Sequence, residues 1–165
     1  MLILDFDRAS REEAVAVLRP CLDIQRWIDE IVEGRPYTTV EGLLDQARSV
    51  ADPFDADEVA QALAHHPRIG ERATGDTREA QLSRAEQGDA DAVHADTARA
   101  LREGNRAYEE RFDRVFLVRA AGRSPEEILS ALRARLLNTP EVEARIVAQQ
   151  LREIALLRLR GTVTP

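Results

Sequence analysis

The sequence predicts an all-α protein, a single-domain irregular helical bundle of about seven or eight helices spanning residues 1–165. Apolar residues recur at three- and four-residue spacing through most of the chain, which is the period of an α-helix with one buried face. Capping signals precede most of these segments, and no part of the chain is typical of a sheet. A chain of 165 residues is long enough to bury one core.

The first two helices are bounded by a capping box, a proline and a glycine. Residues 1–9 form a short lead-in, and Ser10 with Glu13 begins the first helix, which stops before Pro20. The second helix ends at Gly34. These signals predict two short helices at the start of the chain.

The next two helices lead towards a proline-broken segment. Thr38 with Glu41 predicts another capping box at the start of the third helix. Asp55 is predicted to cap a fourth helix, which runs to His66-Pro67. Proline disfavours the helical region for the residue before it, so the helix must end there. Residues 67–82 have no sustained period and are predicted to form a loop, and loops of that length are often functional.

The second half contains three further helices and one ambiguous segment. Residues 90–112 form a long helix, and Val115–Val118 is either a buried extended segment or a helical turn. Ser124-Pro125 begins the next helix. The last helix runs from Thr139-Pro140 to Gly161, and its predicted inward positions are Val142, Ile146, Val147, Leu151, Ile154 and Leu157.

Composition excludes several classes of protein. The net charge of −7 argues against a nucleic-acid partner, and no apolar run approaches the about 18 residues that a membrane span needs. The first residues lack the features of a signal peptide, and the single cysteine fits a reducing compartment, so we expect a cytoplasmic protein. An acidic protein that binds an anion must attract it with local arginines.

The segment His65–Gly70 combines an imidazole, a guanidinium and two backbone-breaking residues. His66 lies at the end of a helix that Pro67 interrupts, where it can serve as a general acid or base. The same residues also fit a simple helix stop with a surface histidine. No zinc-binding motif surrounds the three histidines, so the sequence predicts no metal site.

A second polar segment, Ser83–Gly88, follows the predicted loop. Its Ser83-x-x-Glu86 spacing is that of a capping box, which would only begin a helix. Glu86 and Gln87 together can also hydrogen-bond a ligand rich in amide groups. The residues alone leave both interpretations open.

The two segments and three later ones, taken in order, resemble the OHCU decarboxylase family. The later ones are Asn105-x-x-Tyr108-x-x-x-Phe112, the stretch from Val115 to Ser124, and Ile154-x-x-x-Arg158-Leu159. The resemblance covers nearly the whole chain. It implies an all-helical, cofactor-free homodimer that decarboxylates an anionic ureide, 2-oxo-4-hydroxy-4-carboxy-5-ureidoimidazoline (OHCU), to (S)-allantoin in purine degradation.

The resemblance also implies which residues do this. It makes His66 the general acid and Glu86 its catalytic partner. The family's late arginine matches Arg158, but Arg160 is close enough in the chain to be the equivalent residue instead. The implied substrate-binding residues are Pro67, Ser83, Arg84, Ala85, Gln87, Phe116, Leu117, Val118, Arg119, Ala120 and Arg158.

The chain departs from the family pattern after Phe112, where Asp113-Arg114 replaces a common glycine and a frequent aromatic residue. This departure bears on the local backbone and on substrate preference. Two alternatives stay open from the residues alone. One is a decarboxylase or hydrolase of a related ureide, and the other is a non-catalytic helical interaction module.

Overall fold

The computed structural model describes residues 1–64, 68–69, 78, 81–82 and 95–165. Within these residues eight helices have defined bounds, and there is no strand, only one isolated parallel bridge between Leu2 and Thr164. The all-α prediction is confirmed. The helices are α1 (Ile3–Arg8), α2 (Arg11–Leu18), α3 (Gln25–Glu33), α4 (Val40–Val50), α5 (Ala56–Leu63), α6 (Ala95–Phe112), α7 (Pro125–Arg135) and α8 (Pro140–Thr162).

The chain divides into two compact units. Unit 1 comprises Met1–Ala62 and Arg152–Pro165, and unit 2 comprises Leu63–Leu151. The expectation that residues 1–165 form a single OHCU decarboxylase-like domain stays a prediction.

The lead-in predicted over residues 1–9 is wrong, because α1 occupies most of it. The backbone N–H of Ile3 donates to the carbonyl oxygen of Thr164 at 2.8 Å, and Ile3 and Phe6 are both buried. A helix of six residues has room for only one such apolar pair. It therefore has too few positions to show a helical period in the sequence.

The predicted capping boxes of α2, α5 and α7 use reciprocal hydrogen bonds. Ser10 accepts from the Glu13 N–H and donates its own N–H to the Glu13 carboxylate, and Ser124 does the same with Glu127. Asp55, which was predicted to cap α5, forms the equivalent pair of bonds with Glu58. These three predictions are confirmed because capping depends on local sequence alone.

The capping position predicted for α4 is wrong by one residue. Thr39, not Thr38, is the N-cap, and its hydroxyl accepts from the Gly42 N–H at 3.1 Å. Thr38 has a φ of +62°, and its N–H donates to the carboxylate of Asp7 at 2.8 Å. A contact from α1 therefore holds Thr38 outside the helix, which the local sequence does not reveal.

Unit 2 is built around the packing of α6 on α7. A Cβ atom added at Gly104 of α6 would lie 2.5 Å from a methyl of Leu132, so any larger residue would force this buried side chain to move. Residues 115–120 form neither helix nor turn and are largely buried. The core of unit 2 contains Ile69, Leu101, Tyr108, Phe112, Phe116, Val118, Ala120, Ile128, Leu129 and Leu132.

The inward face of α8 differs from the prediction at two positions. Val142 and Leu157, predicted to face inward, are 40% and 38% exposed, whereas the neighbouring Glu143 and Arg158 are 1% and 4% exposed. The helix also continues through Gly161 to Thr162. Hydrophobic periodicity misses this face because paired polar side chains take part in burial.

The predicted loop over residues 67–82 falls mostly outside the described residues. Within it Arg78, Gln81 and Leu82 are helical, so the segment is not a loop throughout. The part of the predicted long helix before Ala95 also lies outside the described residues.

No helix in the described part of the chain is both long enough and apolar enough to cross a bilayer.

Candidate functional site

Of the two polar segments predicted from the sequence, the structure describes only Arg68 and Ile69 of His65–Gly70 and no residue of Ser83–Gly88. The residues outside the described part are His65, His66, Pro67, Ser83, Arg84, Ala85, Glu86 and Gln87. The described part contains Arg68 and Ile69, which directly follow His66-Pro67, as well as Phe116–Ala120 and Arg158. These described residues and the groups that contact them form the part of the candidate site that the structure describes.

Ile69 is attached to α6 by a buried side-chain amide. Asn105 Nδ2 donates to the Ile69 carbonyl oxygen at 2.9 Å, and Asn105 is only 3% exposed. Ile69 is itself buried in the core of unit 2. This contact therefore attaches the first described residues after His66-Pro67 to the core of unit 2.

Arg68 makes a second attachment to the same helix. Its Nε and Nη2 atoms donate to the two carboxylate oxygens of Glu109 at 2.5 and 2.9 Å. This hydrogen bonding holds the pKa of Glu109 below its usual value. The side chains of Arg68 and Glu109 are 48% and 26% exposed, so the pair contributes at most about 1 kcal/mol to stability.

The Asn105 amide also has an unused acceptor. Its Oδ1 atom is buried and has no hydrogen-bond partner among the described residues. Buried side-chain acceptors are nearly always paired, so this oxygen is available to a group outside that set. Asn105 thus offers both a donor to the segment after His66-Pro67 and an acceptor.

The segment Phe116–Ala120 is held from two helices. Arg135 of α7 donates from Nη1 to the Leu117 carbonyl oxygen at 2.5 Å. The Arg119 backbone N–H donates to Gln150 Oε1 of α8 at 2.9 Å. Four of its five residues are buried, and Arg119 is half-buried.

A buried polar cluster of Tyr108, Arg135, Asn138 and Glu143 contacts this segment through Arg135. Arg135 donates from Nε to the Glu143 carboxylate at 2.7 Å, and Tyr108 and Asn138 also donate to that carboxylate. The guanidinium carbon of Arg135 lies 4.6 Å from the centre of the Phe116 ring, a cation–π distance. The cluster therefore joins α6, α7 and α8 to the buried segment.

The cluster shifts the pKa of two of its members. Burial raises the pKa of Glu143, but hydrogen bonds from Arg135, Tyr108 and Asn138 outweigh it, and the net pKa lies below the usual value. Burial and the adjacent carboxylate raise the pKa of Tyr108. Glu143 is therefore a charged acceptor and Tyr108 a neutral donor near neutral pH.

Sequence reasoning missed the roles of Arg135, Glu143 and Gln150. Tyr108 was noted only as part of a spaced motif and a helix face. The signal that indicates such residues is a charged or amide side chain inside an apolar helical stripe, but the same pattern also describes many exposed positions.

Arg158 belongs to unit 1 and lies on the buried face of α8. It is 4% exposed, and its Nη1 atom lies 3.4 Å from the Pro20 carbonyl oxygen, which accepts its hydrogen bond. Arg160 is exposed. The two arginines therefore differ in burial, and the choice between them stays a prediction.

The departure at Asp113 coincides with an unusual backbone conformation. Asp113 follows the last residue of α6 and has a φ of +51°, in the left-handed region that glycine enters most easily. Aspartate tolerates this region better than most residues with a Cβ. The backbone at this position thus has a conformation that glycine would favour.

Among the described residues, no group of three or more histidine, cysteine, aspartate or glutamate side chains is arranged to hold a metal ion. All three histidines lie outside that part of the chain. The expectation of no metal and no cofactor stays a prediction.

Comparison with known proteins identifies the family. The sequence model described as OHCU decarboxylase matches residues 7–160, which is most of the chain. The chain belongs to the OHCU decarboxylase family. The resemblance noted from the sequence is thereby confirmed, and membership indicates a decarboxylase, which is a lyase.

Individual relatives of the OHCU decarboxylase family are distant. The 2-oxo-4-hydroxy-4-carboxy-5-ureidoimidazoline decarboxylase of Haloferax volcanii is 27% identical over 136 residues, covering 81% of this chain and 79% of its own. A uric acid degradation bifunctional protein of Arabidopsis thaliana is 28% identical, covering 84% of this chain but only 44% of its own. The match to the bifunctional protein therefore concerns less than half of it.

A solved structure supports the fold. The crystal structure of an OHCU decarboxylase in the presence of (S)-allantoin superposes with a TM-score of 0.72, covering 93% of this chain and 97% of the other. Its sequence identity is 23%. The likeness at this identity establishes a shared fold.

Proposed function

We propose that this protein decarboxylates OHCU to (S)-allantoin in urate degradation, without a cofactor. The observation that carries the proposal is the family match over residues 7–160. The curated relatives named for OHCU decarboxylation and for uric acid degradation support the same reaction.

The chemistry of the substrate is compatible with catalysis by side chains alone. The departing carboxylate is on a carbon beside a ring C=N bond, which accepts the electron pair when CO2 leaves. A proton must then be delivered to one face of the ring to give a single enantiomer. In our proposal His66 is the general acid, and Glu86 orients its imidazole and favours the charged form.

The remaining contacts would bind the ureide. Ser83 and Gln87 would hydrogen-bond its ureido and ring amides, and Pro67, Arg84 and Ala85 would also contact it. The backbone of Phe116–Ala120 lines the ligand, and this assignment is supported by the burial of that segment.

Arg158 would pair with the substrate carboxylate or a carbonyl oxygen through its planar fork of donors. Its burial, compared with the exposure of Arg160, supports choosing Arg158 over Arg160. An arginine that is shielded from water interacts more strongly with an anion than one at the surface.

A direct assay tests the reaction. Freshly generated racemic OHCU is mixed with the protein, and its loss is followed together with the circular dichroism of the product. We expect accelerated loss of one enantiomer and formation of (S)-allantoin. Spontaneous decay gives racemic allantoin, so an unchanged rate and no optical signal would contradict the proposal.

We further propose a cytoplasmic homodimer, as the family resemblance implies. Sedimentation at several protein concentrations tests the oligomeric state. A monomer at all concentrations would contradict that part of the proposal while leaving the reaction untouched.

A further inference from the structure

Two side chains hold opposite ends of a short stretch of the proposed substrate-lining backbone. Arg135 binds the carbonyl of Leu117, and Gln150 binds the N–H of Arg119. Arg135 and Gln150 are 7% and 8% exposed. Hydrogen bonds in such a shielded environment constrain the backbone more strongly than bonds at the surface.

The residue between these two contacts has unused backbone groups. Val118 is 5% exposed, and its N–H and C=O have no hydrogen-bond partner among the described residues. In folded proteins the great majority of buried backbone N–H and C=O groups have a hydrogen-bond partner. A ureide has adjacent carbonyl oxygens and N–H groups, so one such molecule can pair with both groups of one residue.

We infer that Gln150 and Arg135 are positioning residues for the ureide. They hold the peptides on either side of Val118, so that its N–H and C=O keep the orientation that the ligand needs. This inference rests on the proposed function, because it assumes that Phe116–Ala120 lines the substrate.

Gln150 is the better residue to test. Arg135 also pairs with Glu143, so replacing Arg135 would leave a buried carboxylate without its partner and destabilise the core as well. Gln150 makes its described backbone contact through one oxygen, and its neighbour Gln149 is exposed on the same helix. The pair of adjacent glutamines offers a matched control.

The experiment compares Gln150→Met, Gln150→Glu and Gln149→Met with the wild-type protein. Methionine is similar to glutamine in length but accepts only a very weak hydrogen bond. Loss of one hydrogen bond corresponds to a change of about tenfold in affinity. We expect Gln150→Met to raise KM about tenfold with little change in kcat, because the contact to the ligand is made in both the ground and transition states.

The other variants should separate positioning from packing. Gln150→Glu keeps an acceptor oxygen and should restore KM towards the wild-type value, while Gln149→Met should leave it unchanged. Hydrogen exchange at the Arg119 amide should accelerate in Gln150→Met alone. Thermal unfolding checks that each variant is folded at the assay temperature, and Gln150→Asn replaces Gln150→Met if the latter is not.

An active wild-type protein whose KM is unaffected by Gln150→Met would overturn the inference and leave the proposed function intact. The same holds if Gln150→Met lowers only thermal stability, or if Gln149→Met raises KM equally. A wild-type protein that neither consumes OHCU nor binds (S)-allantoin would refute the proposed function, and the inference with it.

Discussion

Asn105 and Ile69, 36 positions apart in the chain, are joined by a hydrogen bond of 2.9 Å from the side-chain amide to the backbone carbonyl. The bond attaches the segment that follows His66-Pro67 to the middle of α6. Because Asn105 is buried, the bond competes little with water. The hydrogen bond to Ile69 therefore lies only three residues along the chain from His66, the proposed general acid.

We expect Asn105→Leu to lower both stability and turnover. The substitution leaves the Ile69 carbonyl without its donor, which costs about 1–3 kcal/mol of unfolding free energy. A looser segment should also lower kcat measured where the variant is fully folded. Arg102→Leu, at an exposed position one turn earlier, is the control. Equal kcat values for Asn105→Leu and the wild type would mean that the contact only stabilises the fold.

The two adjacent histidines should differ sharply in their effect on catalysis. His66→Ala is expected to lower kcat by about 10²- to 10⁴-fold, the usual contribution of general acid catalysis. His65→Ala should have a far smaller effect. Steady-state rates and circular dichroism of the folded proteins test this. Equal effects of the two substitutions would show that the assignment to His66 is wrong.

The proposed role of Glu86 has its own test. Glu86→Ala should abolish turnover if Glu86 orients the catalytic imidazole. If turnover is preserved and only the melting temperature falls, then Glu86 serves solely as a helix cap.

Arg158 and Arg160 form a second natural comparison. Arg158→Lys keeps the charge but loses the planar fork of donors, so we expect KM for OHCU to rise at least about tenfold. Arg160→Lys, at an exposed position, should leave KM unchanged. The measurement is KM together with the melting temperature. A lower melting temperature with an unchanged KM for Arg158→Lys would indicate a purely structural arginine.

The buried carboxylate of Glu143 should make stability depend on acid pH. Its pKa in the folded protein lies below the usual 4.5, so folding favours the charged form. The resulting stability is present above about pH 4.5 and is lost as the pH falls through the folded pKa. Glu143→Gln should remove this dependence and cost roughly 3–5 kcal/mol at neutral pH, because Arg135 is left buried without its partner.

Urea unfolding of the wild type, Glu143→Gln and Glu110→Gln across pH 3–7 measures this. Glu110 is exposed, so its substitution should change the unfolding free energy by less than about 0.5 kcal/mol. A Glu143→Gln protein with the same acid dependence as the wild type would contradict the prediction.

Two glycines should respond oppositely to alanine. At Gly104 the new methyl would meet Leu132, which is fully buried and has little room to move, so we expect a loss of about 1–3 kcal/mol. At Gly161, near the end of α8, nothing lies within 4 Å of the added methyl. There alanine should stabilise the helix by up to about 1 kcal/mol. Thermal unfolding that moves in the same direction for both would be inconsistent with this packing.

Features that depend on neighbouring residues could be predicted from the amino-acid sequence. The capping boxes at Ser10 and Ser124 and the helical class follow from interactions within one or two turns. The order of weak motifs along the chain predicted the family. The prediction of His66 and Glu86 as site residues depends on that order, because no single motif is specific.

Contacts between distant parts of the chain could not be predicted in this way and are seen only in the folded protein. Asp7 displaces the cap of α4 from Thr38 to Thr39, and Arg135 and Glu143 are buried because they pair across helices. The contact between Gln150 and the Arg119 backbone is of the same kind. A polar residue in a helical stripe is buried or exposed according to its partner, and the partner's distance in space is not encoded in local sequence.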